Sequence, residues 1–176
     1  MNIRVELESK PTKDQIKSIA AYACSHPSRF QKLMNCFFDS HHRLVLAASW
    51  VLTQAITLQP TMLEPYFPDL INHISNPNNA KHLIRNSLRI LEIVKIPESF
   101  HGAIMNACFD FVQNPKTEIA IKAYSLTIIY QLSITYPEIQ DELKYLIEEQ
   151  WDHETPAFKS RGRKILAQIN KSRKKI

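Results

Sequence analysis

A chain of 176 residues with 44% hydrophobic and 22% charged side chains has the length and apolar content of one soluble domain, and its core needs neither metal nor disulfide. Its two glycines, Gly102 and Gly162, are isolated, which excludes the glycine-rich loops of P-loop and dinucleotide-binding enzymes. The net charge of +5 is a terminal property, because the last 20 residues hold eight Lys or Arg and no carboxylate while residues 1–156 hold 14 cations against 17 carboxylates.

Residues 1–11 open with an alternation of Ile3, Val5 and Leu7. No second strand-like run exists to pair with it, so a loose N-terminal arm is expected. From Thr12 onward the apolar residues recur with helical period over nine segments: 12–24, 28–38, 41–58, 61–75, 79–96, 98–113, 116–135, 138–151 and 157–172. Pro60, Pro97 and Pro137 each close one apolar run and open the next, where a missing N–H costs nothing. Pro77, Pro115 and Pro156 mark further boundaries, and Pro65 with Pro68 predict irregular first turns in the fourth segment. Segment 41–58 is apolar nearly all round and is expected to be central, whereas 138–151 sets Ile139, Leu143, Leu146 and Ile147 against five carboxylates and keeps one face wet. The predicted organisation is an arm (1–11) and one helical domain (12–176). That domain comprises a cap pair (12–40), repeats at 41–78, 79–115 and 116–155, and a basic last helix (156–176).

The spacing carries the strongest signal. Superposing Ser49, Ser87, Ser125 and Gly162 gives steps of 38, 38 and 37 residues and aligns SWVLTQAI, SLRILEIV, SLTIIYQL and GRKILAQI. Leu52, Ile90, Ile128 and Ile165 then share one column, and Ile56, Val94, Leu132 and Ile169 another. A small residue followed at +3 and +7 by large aliphatics is one helix face, with the small side chain admitting a close neighbour. A period near 38 with two helices per unit predicts an all-α solenoid. With Asn76-Pro77 and Asn114-Pro115 at repeat starts, and Lys122 and Lys159 three positions before the small residue, the chain resembles the HEAT and armadillo-like families over roughly 41–172. Leu46 and Ile84 depart from that basic column. The resemblance implies a right-handed α-α superhelix that binds a partner on its concave side, lined by the second helix of each pair.

For a protein partner, that side offers Tyr66, Asp69 and His73, then His101, Met105 and Phe109, then Tyr145 and Glu148. Aromatic and Met side chains among polar ones suit protein recognition, and equally suit packing between helices. For nucleic acid, the candidates are Lys81, Arg85 and Arg89 at i, i+4, i+8 together with Lys159, Arg161, Arg163, Lys164, Lys171, Arg173, Lys174 and Lys175. The competing reading of the last group pairs it with the acidic segment before it and leaves a solvated cap. No aromatic residue is interleaved with these cations to form a stacking platform.

Catalysis is not expected. The histidines, including His41-His42, lack metal-ligand spacing, so neither metal nor cofactor is predicted. No G-x-S-x-G elbow is present, and Glu64, Asp69 and Asp110 have nothing in the sequence to bring them together. The alkyl-base DNA glycosylases among HEAT-like proteins use an aromatic cleft with a catalytic Asp; here Trp50 falls in the most apolar segment and Trp151 at an acidic helix end. Cys24, Cys36 and Cys108 show no CxxC spacing, and no run approaches a signal or membrane-spanning segment. The expectation is a cytoplasmic monomer or weak dimer, serving as a protein-binding scaffold or adaptor, with nucleic-acid binding as the alternative.

Overall fold

The computed structural model describes residues 1–76 and 78–173, the side chain of Arg173 excepted. Among them are ten α-helices and no strand. They are α1 (Ile3–Glu8), α2 (Lys13–Cys24), α3 (Pro27–Phe37), α4 (His42–Leu58), α5 (Phe67–Ser75), α6 (Lys81–Leu91), α7 (His101–Gln113), α8 (Ile119–Thr135), α9 (Gln140–Glu149) and α10 (Pro156–Arg173). The fold is all-α and built from repeated helix pairs, in two compact units, Met1–Val94 and Lys95–Ile176.

Local chemistry explains the boundaries. Thr12 and Gln15 form a reciprocal capping box at the start of α2. Pro27 occupies the first turn of α3, where an imidazole nitrogen of His26 accepts from the Ser28 N–H. The prolines of 60–68 produce a 3-10 stretch over Pro60–Tyr66 before α5, as their positions predict. Helix α6 stops at Leu91, short of the expected 79–96, so Val94 lies beyond it.

One expectation is corrected at the N-terminus. Residues 3–8 form a helix rather than a loose arm, with Ile3 and Leu7 buried against α3 and α4. The two apolar residues are four apart, which a helix turn places on one face as readily as a strand does. Asn2 caps this turn by accepting from the Val5 N–H.

In the first unit α2, α4 and α6 form one row, with α2 and α6 both packed on α4. Helices α3 and α5 lie on the other side, where Phe30 of α3 meets Tyr66 just before α5 and Phe38 just after α3 meets His73 of α5. In the second unit α8 is the hub, packed by α7, α9 and α10. The repeat columns form the core: Ser49, Ser87 and Ser125 are fully buried, as are Leu52, Ile90 and Ile128, and Ile165 and Ile169 continue the pattern in α10. A Cβ built on Gly162 would stand 2.9 Å from Ile147 and 3.3 Å from Trp151, so only glycine allows the close approach of α9.

Candidate functional site

Tyr66, at the end of the 3-10 stretch, and Asp69 and His73 on α5 follow at spacings of three and four, on one face of the first unit. The Tyr66 ring tilts against Phe30 at 5.8 Å, and the His73 ring meets Phe38 edge-on at 4.7 Å. Both are half-buried, whereas Asp69 is exposed and has no hydrogen bond or ion pair among the described residues. Its carboxylate acts on both neighbours. Burial raises the Tyr66 phenol and Asp69 pushes it further up, while burial lowers the His73 imidazole and Asp69 opposes that shift. The His73 Nδ1 is buried without a partner.

The second unit treats its candidates differently. His101 is tied on both ring nitrogens, with Nε2 2.9 Å from the Ile96 carbonyl oxygen and Nδ1 3.1 Å from the Tyr136 hydroxyl. The carbonyl can only accept, so Nε2 is the donor. These bonds fix the turn before α7. Met105 and Phe109 are half-buried on the same helix, Tyr145 is 62% exposed on α9 with its hydroxyl 3.4 Å from Glu149, and Glu148 pairs loosely with Lys144 at 3.8 Å.

The cations divide into those engaged by the protein and those left open. On α10, Arg161 donates to the Thr127 hydroxyl, and the Arg163 guanidinium lies 5.5 Å from the centre of the Trp151 ring. Lys159 is half-buried, while Lys164 and Lys171 are exposed on a different side of the helix from Lys159 and Arg163. The basic helix is therefore not a single charged face. The side chain of Arg173, and Lys174 and Lys175, lie outside the described residues.

On α6, Lys81 is exposed and Arg85 reaches the His42 ring at 3.2 Å. The His42 ring in turn stands edge-on to His82 at 5.2 Å. Burial, His42 and Arg85 all lower the His82 imidazole. Arg89 departs from its neighbours and enters a groove of about 220 Å³ with Lys13, Ile16 and Lys17 from α2 and Trp50, Thr53 and Gln54 from α4.

That groove opens on one strip of α4, the helix on which α1, α2, α3 and α6 all pack. The helix is not covered all round: Trp50 is 41% exposed, and Arg43, Gln54 and Thr57 continue the open strip at helical spacing. Helices α2 and α6 flank α4 and leave this strip between them. Lys13 and Lys17 were no part of the sequence-based candidates; their spacing of four on α2 is the signal they offered, but it does not point to Trp50.

A further cation has a structural role. Lys122, 3% exposed, donates to Gln150 Oε1 at 3.1 Å and to the Glu154 carboxylate, so it binds α8 to the connection between α9 and α10. The Cys108 thiol is pushed up to about 12 by burial, and burial also raises Cys24 and Cys36. These sulfurs stay protonated at neutral pH and are poor nucleophiles. Among the described residues no cluster of His, Cys, Asp or Glu is arranged to hold a metal ion, and no helix is long and apolar enough to cross a membrane.

Comparison with known proteins supplies a family. A family model described as HEAT repeat domain matches residues 3–169. No curated protein and no solved structure matches the chain. A match running from the first turn of α1 into α10, over helix pairs that repeat their small-residue and aliphatic columns, means that the chain belongs to the HEAT repeat family.

Proposed function

We propose that the chain is a non-catalytic scaffold that binds a protein partner, in a cytoplasmic setting, as a monomer or weak dimer. HEAT repeats commonly mediate protein interactions. The observation that carries the reading here is the α5 face: an exposed, unpartnered Asp69 carboxylate between the half-buried Tyr66 and His73 rings. A carboxylate flanked by rigid aromatic surface suits a basic side chain of a partner, with the rings excluding water around the pair. Met105 on α7 and Tyr145 on α9 are candidate contacts of the second unit by itself. His101 has a weaker claim, since both of its nitrogens are already engaged.

The nucleic-acid alternative placed on the C-terminal helix has less support. Arg161 and Arg163 are turned to Thr127 and Trp151, and the remaining described cations of α10 diverge.

The test compares proteins retained by the full chain with those retained by Asp69→Lys and by Lys164→Gln/Lys171→Gln, followed by titration of the purified candidate. The expected partner is lost on Asp69→Lys, which reverses the charge at an exposed site, and is kept by the α10 variant. A purified partner that binds Asp69→Lys as tightly as the parent overturns the placement on α5.

A further inference from the structure

The groove around Trp50 is independent of the α5 face and has the opposite charge. Lys13, Lys17 and Arg89 line it together, and no carboxylate is among its lining residues. None of the three cations makes a hydrogen bond or ion pair among the described residues. Their charge is therefore not neutralised within the groove and is available to a ligand. Between them stands an indole with 41% of its surface open to water. The Gln54 side chain adds an amide with both donor and acceptor capacity.

We propose that this groove binds single-stranded nucleic acid, with a base stacked on Trp50 and the adjoining phosphates held by Lys13, Lys17 and Arg89. Each part of the groove answers to one part of that ligand. The three cations favour an anion, and they come from two helices on either side of α4, so an extended anionic chain can meet all three. The exposed indole offers a stacking face, which every base of a nucleic acid strand can use and an acidic peptide uses only where it carries an aromatic side chain. The Gln54 amide can meet the donors and acceptors of a base edge.

The size of the groove argues in the same direction. At about 220 Å³ it is smaller than the roughly 300–1,000 Å³ of enclosed small-molecule sites. It is half-open to solvent, and in the proposed mode one base enters it while the chain continues outside. A base inside a duplex cannot reach Trp50 without unpairing, so single strands are favoured over duplexes.

The tertiary fold assembles this platform where no single helix carries it. Lys13 and Lys17 lie one turn apart on α2, Trp50 and Gln54 one turn apart on α4, and Arg89 faces them from α6. The stacking of these three repeat-row helices sets an aromatic residue among cations from either side.

The experiment uses the full chain and fluorescein-labelled dT and rU oligomers of about 15 nucleotides, with anisotropy read between about 50 and 200 mM salt. Binding should weaken with salt with a log–log slope near −2, and each of Lys13→Gln, Lys17→Gln and Arg89→Gln should flatten that slope by about 0.7. Trp50→Ala should weaken binding roughly tenfold or more, and Trp50→Phe should retain most of it. In a Trp151→Phe background the remaining indole emission should be quenched on saturation. Parallel melting curves identify any variant that fails to fold, and the exposed lysines serve as the second route if Trp50→Ala does.

No binding at low salt overturns the proposal. So does binding that Lys13→Gln, Lys17→Gln and Arg89→Gln leave unchanged while Lys164→Gln/Lys171→Gln removes it, because the site then lies on α10. Equal affinity for a duplex overturns the single-strand assignment. Displacement by poly-glutamate at matched charge, with Trp50 emission unchanged, assigns the groove to acidic peptides instead. Asp69→Lys, which tests the scaffold reading, should leave oligonucleotide binding in place.

Discussion

The two tryptophans sit in opposite electrostatic company. Trp50, in the first unit, shares its groove with three cations that pair with nothing else among the described residues. Trp151, in the second, has a guanidinium against its ring, and its groove also contains Glu148 and Asp152. The second unit uses other positive charges internally as well, with Lys122 buried on Glu154 and Arg161 on Thr127. Counting charges along the chain assigns basicity to the C-terminus. The folded arrangement turns two of those cations inward, Arg161 to α8 and Arg163 to the connection before α10, while an open set is assembled in the first unit from residues far apart in sequence.

The largest expected effect tests whether the second unit depends on its internal charge. Glu154→Ala strands the Lys122 ammonium in a buried position, and breaking a buried pair from one side typically costs about 3–5 kcal/mol. Gln150 still accepts from Lys122 at 3.1 Å, which favours the lower part of that range. The double variant Lys122→Met/Glu154→Ala removes both charges and should recover most of the loss. Denaturant unfolding of the parent, single and double variants measures this. A loss below about 1 kcal/mol for Glu154→Ala would mean that water reaches the pair, and the contrast between the units would weaken.

Acid should act on the first unit through a different mechanism. Burial holds the His73 and His82 imidazoles below their ordinary value near 6.5. For His73, Asp69 opposes the shift; for His82, the nearby His42 and Arg85 reinforce it. In each case the folded state prefers the neutral ring, and just below pH 6.5 the unfolded chain binds more protons than the folded one. Stability then rises with pH across that window. The contribution is complete above about pH 6.5 and is lost as pH falls toward the depressed folded values. Amide exchange should therefore quicken in α5 and α6 on going from neutral to mildly acidic solution, by less than the Glu154→Ala effect. His82→Gln should blunt the response in α6. An unchanged exchange pattern in these helices would show that the rings are solvated.

Much of the architecture was legible because it repeats. The small-residue column and the aliphatics at +3 mark the buried face of α4, α6, α8 and α10, the +7 column does so in α4, α8 and α10 while Val94 falls past the end of α6, and Pro65 with Pro68 account for the 3-10 entry to α5. Helix α1 was not legible, since Ile3 and Leu7 satisfy helix and strand spacing alike in so short a segment, and their docking on α3 and α4 settles the choice. The binding surfaces were legible only in part. Asp69 and His73 share α5 and Tyr66 immediately precedes it, so helical spacing groups the three from the sequence alone. Lys13, Lys17, Trp50 and Arg89 come from three helices, and no pattern along a single segment joins them. His101 shows the reverse difficulty: its spacing places it beside Met105 and Phe109, yet its ring nitrogens are committed to Ile96 and Tyr136.

The smallest expected effect compares the two guanidiniums beside the two indoles. Arg163 lies 5.5 Å from the Trp151 ring centre at an exposed position, where a cation–π contact contributes about 0.5–1 kcal/mol. Arg163→Gln should lower stability by about that amount and shift the Trp151 emission, because the ring loses the group that covers it. Arg89 lines the Trp50 groove without an ion pair or hydrogen bond of its own, so Arg89→Gln should leave the melting temperature within the scatter of a surface substitution. Its consequence belongs to the ligand, as a flatter salt dependence of oligonucleotide binding. If Arg89→Gln instead destabilises the chain as much as Arg163→Gln does, then Arg89 is a packing residue, and the two tryptophans differ in degree rather than in role.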